Sequence, residues 1–242
     1  MLGQPKYKYG DLVKFCFDDG KKQIAHYGKI EIIDAYGTFG QSKEVSYDIM
    51  GIDERVLFKH VVESDVYEIN DINGCSIQIL KDENSYVHYG AKFFVRDKFK
   101  PIENRDFSNK PDGGLWASSC KAKNSWCTWC VENNFRKPKL DECFHFSLSK
   151  TANILRIESL EDCKELILHP VGYMHEEYMN PNYEVIDYKA CMERGIDAIE
   201  YRYDIACKSE DFEEIDSIMR GWDCDSILIL NPEIIIPGES KI

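Results

Sequence analysis

The longest apolar runs in this chain are short: SILIL at 226–230 and III at 234–236. Neither approaches the roughly 20 residues that a membrane-spanning helix needs. A core must therefore be assembled from many brief elements punctuated by turns. Residues 6–69 show this most clearly. LVKFCF (12–17) precedes the turn DDGKK, and QIAHYGKIEII (23–33) follows with a bend expected at Gly28. SYDIM (46–50), a GIDE turn and VLFKHVVES (56–64) complete the set. Short strands at this spacing, broken by Gly and Asp, predict a small β-barrel.

The chain has 242 residues, enough for one large domain or two small ones. Apolar residues make up 43% and aromatic residues 12%, a globular composition. MLGQPKYKYGDLVKF has no apolar h-region, so no signal peptide is expected. Ten cysteines are scattered through a chain long enough to bury a core, which points to reduced thiols and a cytoplasmic location. The net charge of −13 is divided unevenly: −5 over residues 1–83, +6 over 84–156 and −14 over 157–242. The acidic total argues against general polyanion binding. The basic middle leaves room for a small phosphate-bearing ligand.

Turn signals at Asn73-Gly74 and the polar KDENS cluster (81–85) place a boundary between two domains. The expected division is residues 1–70, a linker at 71–83, and 84–242. Beyond it, YVHYG (86–90) and ANILRIES (152–159) read as strands. Residues 119–133 lack Gly and Pro, and Trp126, Trp129, Cys130 and Asn133 recur at helical spacing. Further helices are expected at 160–167, 184–195 and 209–221, the last with Ser209 as N-cap. Strands are expected at 196–201 and 225–230. The fold class expected is α+β.

GGLWAS (113–118) sets the two smallest residues directly before the largest. Either the glycines make a turn that sends Trp116 into the core, or they leave space for a flat ligand stacked on its ring. Cys127-x-x-Cys130 followed by Cys143 and His145 has a zinc-like cadence, but two of these fall within the predicted 119–133 helix, and no metal is expected.

Two family resemblances bear on these stretches. GDLVKF, GKIEII, YDIM and KHVVESDV resemble an SH3-like barrel over about 60 residues, which implies an interaction module and no activity. His88-Tyr89-Gly90, Gly114-Leu115-Trp116-Ala117-Ser118 and the Asp225–Ile235 stretch, in that order, resemble the three motifs of the ADP-ribosyltransferase superfamily, which includes the poly(ADP-ribose) polymerases and diphtheria-toxin-like enzymes. That resemblance implies a split β-sheet domain holding NAD as substrate. It implies that His88 bonds a ribose and belongs to the catalytic set, that Gly90 pairs with the carboxamide, that Trp116 stacks on nicotinamide, and that Tyr89, Gly114 and Ser118 complete the NAD-binding set. It gives Asp225 the carboxylate role beside the cleaved bond, in a mono-ADP-ribosyltransferase or NAD glycohydrolase with a protein or nucleic-acid acceptor. A catalytically lapsed relative that binds NAD, a related nucleotide or a partner protein is the alternative.

Two departures stand out. Trp116 replaces the usual Tyr and loses its hydroxyl. Asp225 replaces the usual Glu and is shorter by one C–C bond, about 1.5 Å. Glu200 in GIDAIEY is a rival acid, expected to face solvent. Since residues 1–70 supply no member of the three motifs, 84–242 is expected to fold and bind NAD alone.

Overall fold

A computed structural model of the chain describes residues 2–18, 23–38, 40, 43–52, 56–68, 84–105, 108–135, 139–140, 142–170 and 184–237. The expected turn centred on 19–22, the Asn73-Gly74 turn and the 71–83 linker lie outside the described residues. In chain order the strands are β1 (Leu12–Asp18), β2 (Gln23–Asp34), β3 (Ser46–Gly51), β4 (Leu57–Val62), β5 (Val66–Glu68) and β6 (Ser85–Tyr89). There follow β7 (Glu103–Arg105), β8 (Ser108–Asp112), β9 (Leu115–Ser119), β10 (Cys143–Leu148) and β11 (Ile154–Ile157). Then come β12 (Leu168–Pro170), β13 (Glu184–Ile186), β14 (Ala198–Tyr201) and β15 (Ser226–Ile229). The helices are α1 (Trp126–Glu132), α2 (Leu160–Cys163), α3 (Tyr188–Glu193), α4 (Tyr203–Ala206) and α5 (Phe212–Ile218). The class is α+β, with strands dominating.

The chain forms two compact units that are discontinuous in sequence. One is Met1–Phe94 with Cys127–Ser147 and Pro237–Ile242; the other is Val95–Trp126 with Leu148–Ile236. This differs from the expected cut near residue 70, because β6, most of α1 and β10 fall in the same unit as the N-terminal strands.

In the first unit, β4-β3-β2-β1-β5 form an antiparallel sheet. The predicted barrel is not closed. Among the described pairings, β4 joins only β3 and the three-residue β5 joins only β1. The long β2 pairs β1 through its first half and β3 through its second. Gly28 stands at the handover, opposite both Val13 and Gly51. A Cβ there would lie 2.4 Å from the Met50 carbonyl oxygen, so the close approach requires glycine.

Four successive residues of β1 are buried, which is unusual for a strand with only one apolar face. Val13 and Phe15 enter the core of the five-stranded sheet with Ile30, Tyr47 and Ile49. Cys16, offset by one residue, packs instead with Cys127, Leu140, Tyr67 and Tyr89. Lys14 shares that second face and is 1% exposed. Its ammonium donates to Tyr89 Oη at 3.0 Å and lies 4.2 Å from the centre of the Tyr89 ring and 5.2 Å from that of Tyr27. Tyr27 Oη in turn meets His145 Nε2 at 3.1 Å. Tyr89 and His145 belong to the antiparallel β6–β10 pair, in which Tyr89 faces Cys143 and Val87 faces His145.

In the second unit, β11, β14, β15 and β9 are neighbours in that order, with β11 parallel to β14 and the other pairs antiparallel. Asn109 on β8 knots the surrounding segments. Its side chain donates to Ile218 O at 2.5 Å and accepts from Ile186 N at 2.8 Å. Its carbonyl accepts from Trp222 Nε1 at 3.0 Å and from the Tyr188 hydroxyl.

The helices are shorter than expected, and their caps explain where they start. Ser159 and Asp162 form a capping box that starts α2. Asp187 accepts from Ala190 N and starts α3 after a strand at 184–186, where the sequence suggested continuous helix. Helix α5 begins after Asp211 and not at Ser209. Helix α1 starts at Trp126, because β9 runs to Ser119 and Trp126 N donates to Ser118 Oγ at 3.0 Å. Its buried residues are Cys127, Thr128 and Cys130, so the buried face is rotated from the predicted Trp126–Trp129–Cys130–Asn133 stripe.

Deleting residues 1–70 is therefore expected to prevent folding of 84–242, contrary to the division suggested by the motifs. The deletion strips Lys14 and Tyr27 from Tyr89, Cys143 and His145. Thermal melts and near-UV dichroism of the truncated chain should show no cooperative transition; a sharp two-state melt would overturn this.

Candidate functional site

The second unit holds the carboxylate of interest. Asp225 immediately precedes β15 and is 8% exposed. Its backbone N–H donates to Asn124 O at 2.9 Å, and it bridges Ser125 in parallel register. Its Oδ1 accepts the Asp204 N–H at 3.0 Å at the start of α4, whose N-cap Arg202 makes no side-chain cap. Among the described residues no cation forms an ion pair with Asp225. Burial pushes its carboxyl up to about 6, and the Asp204 carboxylate adds to this, against the lowering effect of the backbone N–H bonds and of the Arg202 charge.

Glu200, the rival acid, does not face solvent. It lies on β14, is 7% exposed, and its Oε2 accepts from Arg156 Nε at 2.8 Å. Arg156 is its direct neighbour across the parallel β11–β14 pair. Strand alternation alone could not reveal this, since all four residues of β14 are buried.

The glycine-tryptophan question resolves in structural terms. Gly113 and Gly114 adopt φ of 81° and 67°, conformations that favour glycine. A Cβ on Gly113 would lie 2.0 Å from Pro101 O, and one on Gly114 would lie 2.6 Å from both Ile102 Cδ1 and Leu228 Cδ1. Protein atoms, not ligand space, adjoin both glycines. Trp116, half-buried, faces Leu228 across β9–β15 and packs edge-on against the buried Trp222 ring, 4.5 Å between centroids. Ser118 is fully buried, and its hydroxyl oxygen already accepts the Trp126 N–H.

The first motif lies in the other unit. His88 is half-buried on β6, its ring 5.2 Å from that of Phe144, its cross-strand neighbour. Tyr89 points to Lys14. Burial pushes its phenol well above the usual range, despite the nearby ammonium. For Lys14, burial works against the charge, and the Tyr89 oxygen and the Cys143 and Cys127 sulfurs more than offset it, holding the ammonium charged. Gly90 adopts φ of 117°, and its N–H donates to Glu142 O at 2.7 Å. That donor is committed to the chain and not open to a carboxamide; its carbonyl is the group the expected role could still use.

The zinc-like residues have other partners. Cys143 Sγ donates to Leu140 O at 3.1 Å and receives Lys14 Nζ at 3.8 Å, while His145 meets Tyr27. Among the described residues no group of three or more His, Cys, Asp or Glu is arranged to hold a metal ion. No helix there is long and apolar enough to cross a membrane.

Sequence reasoning missed Lys14. A lysine in LVKFCF reads as the solvent-facing member of an amphipathic strand, and only the second layer formed by β6 and β10 buries it. No family model, characterised protein or solved structure significantly matches the chain.

Two stability measurements follow from these contacts. Trp116→Ala should cost about 3 kcal/mol, near the lower end for removing a packed tryptophan, seen as a lower midpoint in denaturant. A loss below about 0.5 kcal/mol would show that the ring contributes little to the core. Asp225→Asn tests the buried carboxyl. A pKa raised from 3.8 to about 6 means that the folded state holds the proton more tightly than the unfolded chain. Ionised Asp225 therefore costs stability above about pH 6, and the cost is relieved as pH falls towards 4. Asparagine keeps an oxygen for Asp204 N–H, so the variant should be more stable than wild type by about 1–3 kcal/mol at pH 8, with the difference vanishing near pH 4. Equal stability at both pH values would refute the raised pKa.

Proposed function

We propose that this chain is an NAD-consuming enzyme of the ADP-ribosyltransferase kind, acting on a protein or nucleic-acid acceptor or on water. The observation that carries this reading is Asp225: a buried acid at the head of a strand, held without a cation partner among the described residues. Breaking the nicotinamide–ribose bond builds positive charge on the sugar. A nearby carboxylate in a low-dielectric site stabilises that charge more strongly than it would in water. Asp204 N–H fixes one oxygen of Asp225 in place. A carboxyl with a pKa of about 6 is ionised at neutral pH, the state this role requires. The roles of His88, Tyr89 and Gly90 rest on the motif resemblance.

A second reading has its own support. Trp116, Gly114 and Ser118 are all engaged in holding the second unit together. A lapsed relative that keeps these structural residues and binds a nucleotide or partner protein accounts for them equally well. For the N-terminal sheet we propose an SH3-like interaction module. The meander order and the 3₁₀ turn Glu63–Asp65 immediately before β5 support that reading.

Incubation with NAD labelled in the ADP-ribose part, with label followed to protein, nucleic acid or free ADP-ribose, tests the proposal. Wild type should turn over, and Asp225→Asn should lower turnover by about 10²-fold or more. NAD affinity should change far less, because the charge matters most in the transition state. Activity should fall about tenfold per pH unit below pH 6 as Asp225 takes up its proton. Glu200→Gln should lose stability through Arg156 yet keep turnover. Absence of turnover by folded wild type with measurable nucleotide binding selects the lapsed relative.

A further inference from the structure

Lys14 and Cys143 have no place in the proposed chemistry, and their surroundings are unusual. Lys14 and Cys143 are each 1% exposed. Among the described residues no carboxylate forms an ion pair with Lys14. Its ammonium instead meets a phenol oxygen, two aromatic faces and a thiol sulfur. The sulfur is 3.8 Å from Nζ, and its hydrogen is directed to Leu140 O at 3.1 Å, so a sulfur lone pair is left for the lysine. A positive charge this close to a sulfur favours the reactive, anionic form of a thiol.

We propose that Lys14 and Cys143 form a redox-controlled covalent cross-link, a sulfenamide, when the protein meets a peroxide. The Cys143 sulfur, having lost its proton, attacks one peroxide oxygen. The O–O bond breaks, the sulfur is oxidised to sulfenic acid, and the peroxide is reduced to hydroxide, which takes the ammonium proton of Lys14 and leaves as water. Lys14, now a neutral amine, attacks the sulfenic sulfur with its nitrogen lone pair. The N–S bond forms, the S–O bond breaks, and the departing hydroxide takes a second proton from nitrogen and leaves as water. Thiol, ammonium and hydrogen peroxide thus give one sulfenamide, two waters and the proton released by the thiol. Sulfenic acids undergo this condensation with nitrogen when one is close, and added thiol reverses it. Hydrogen peroxide is little larger than water and needs only a local opening to arrive. The bond would tie β1 to β10 within the first unit, where the two strands already meet through Tyr89.

The test uses the full-length wild-type protein. It is treated with hydrogen peroxide, the remaining free thiols are alkylated, and the protein is digested with a protease specific for acidic residues. Peptide mass mapping should find the Lys14 peptide joined to the Cys143 peptide, two hydrogens lighter than their sum, and dithiothreitol should separate them. Lys14→Met and Cys143→Ser should each abolish the joined species. If Lys14→Met does not fold, the wild-type map and Cys143→Ser still decide. Cys143 recovered as a disulfide with another cysteine, as a sulfinic acid beside an unmodified Lys14, or unoxidised while other cysteines react, would overturn the proposal.

Discussion

Burying one lysine governs how the first unit is built. An ammonium removed from water costs several kcal/mol unless its hydrogen-bonding and charge requirements are met nearby. On β1, Lys14 lies across from Tyr27 of β2, and its hydrogen bonds to Tyr89 and Cys143 lie outside the five-stranded sheet. Its needs are met by Tyr89 from β6, by Cys143 from β10 and by the faces of Tyr89 and Tyr27. The sheet and the β6–β10 pair are consequently one folding unit, although 75 residues separate Lys14 from Tyr89 and 129 separate it from Cys143. The same contact explains the engagement of His145, since Tyr27, which shares the lysine, also receives its imidazole.

The second unit is organised around backbone closeness and a single amide. Asn109 uses its side-chain donor, its side-chain acceptor and its carbonyl to join β13, α3, the end of α5 and Trp222. Each bond satisfies a group that would otherwise be buried without a partner. Gly113 and Gly114 then let the chain pass close against residues 100–102 and Leu228 before β9 begins. Trp116 enters the core as a result of that turn. The motif that looked like a ligand platform is thus sufficiently explained by packing, and whatever chemistry the unit performs must come from groups outside that turn.

Much of the strand layout was legible. The short apolar runs at 12–17, 46–50, 152–159, 196–201 and 225–230 all contain strands, because burial of a pleated face needs few residues. The helices were overcalled in length for a physical reason: their starts depend on oxygens far away in sequence or on local capping competition. Ser118 starts α1 from eight residues upstream, and Asp187 converts the middle of a periodic stretch into a cap. Glu200 was misread because its partner, Arg156, arrives through a parallel pairing that no local pattern encodes. The discontinuous composition of the units was illegible for the same reason. A linker composition can mark where a chain is polar, but not which later strand returns to complete an earlier sheet.

Asp225 has a structural load, and the proposed function would add a chemical one. As an acceptor for Asp204 N–H it supplies the cap that α4 lacks, a role asparagine could fill. As a carboxylate it pays for its burial with a raised pKa, which asparagine would avoid. A chain selected only for stability gains nothing from the charge at this position. A buried acid with no ion pair among the described residues suits the proposed use of the charge itself. Glu200 is the instructive contrast within the same sheet: it is equally buried, yet its carboxylate is paired with Arg156. The two acids differ in partner and not in depth. That difference, more than position along the sequence, is why the proposed chemical role falls to Asp225 and not to Glu200.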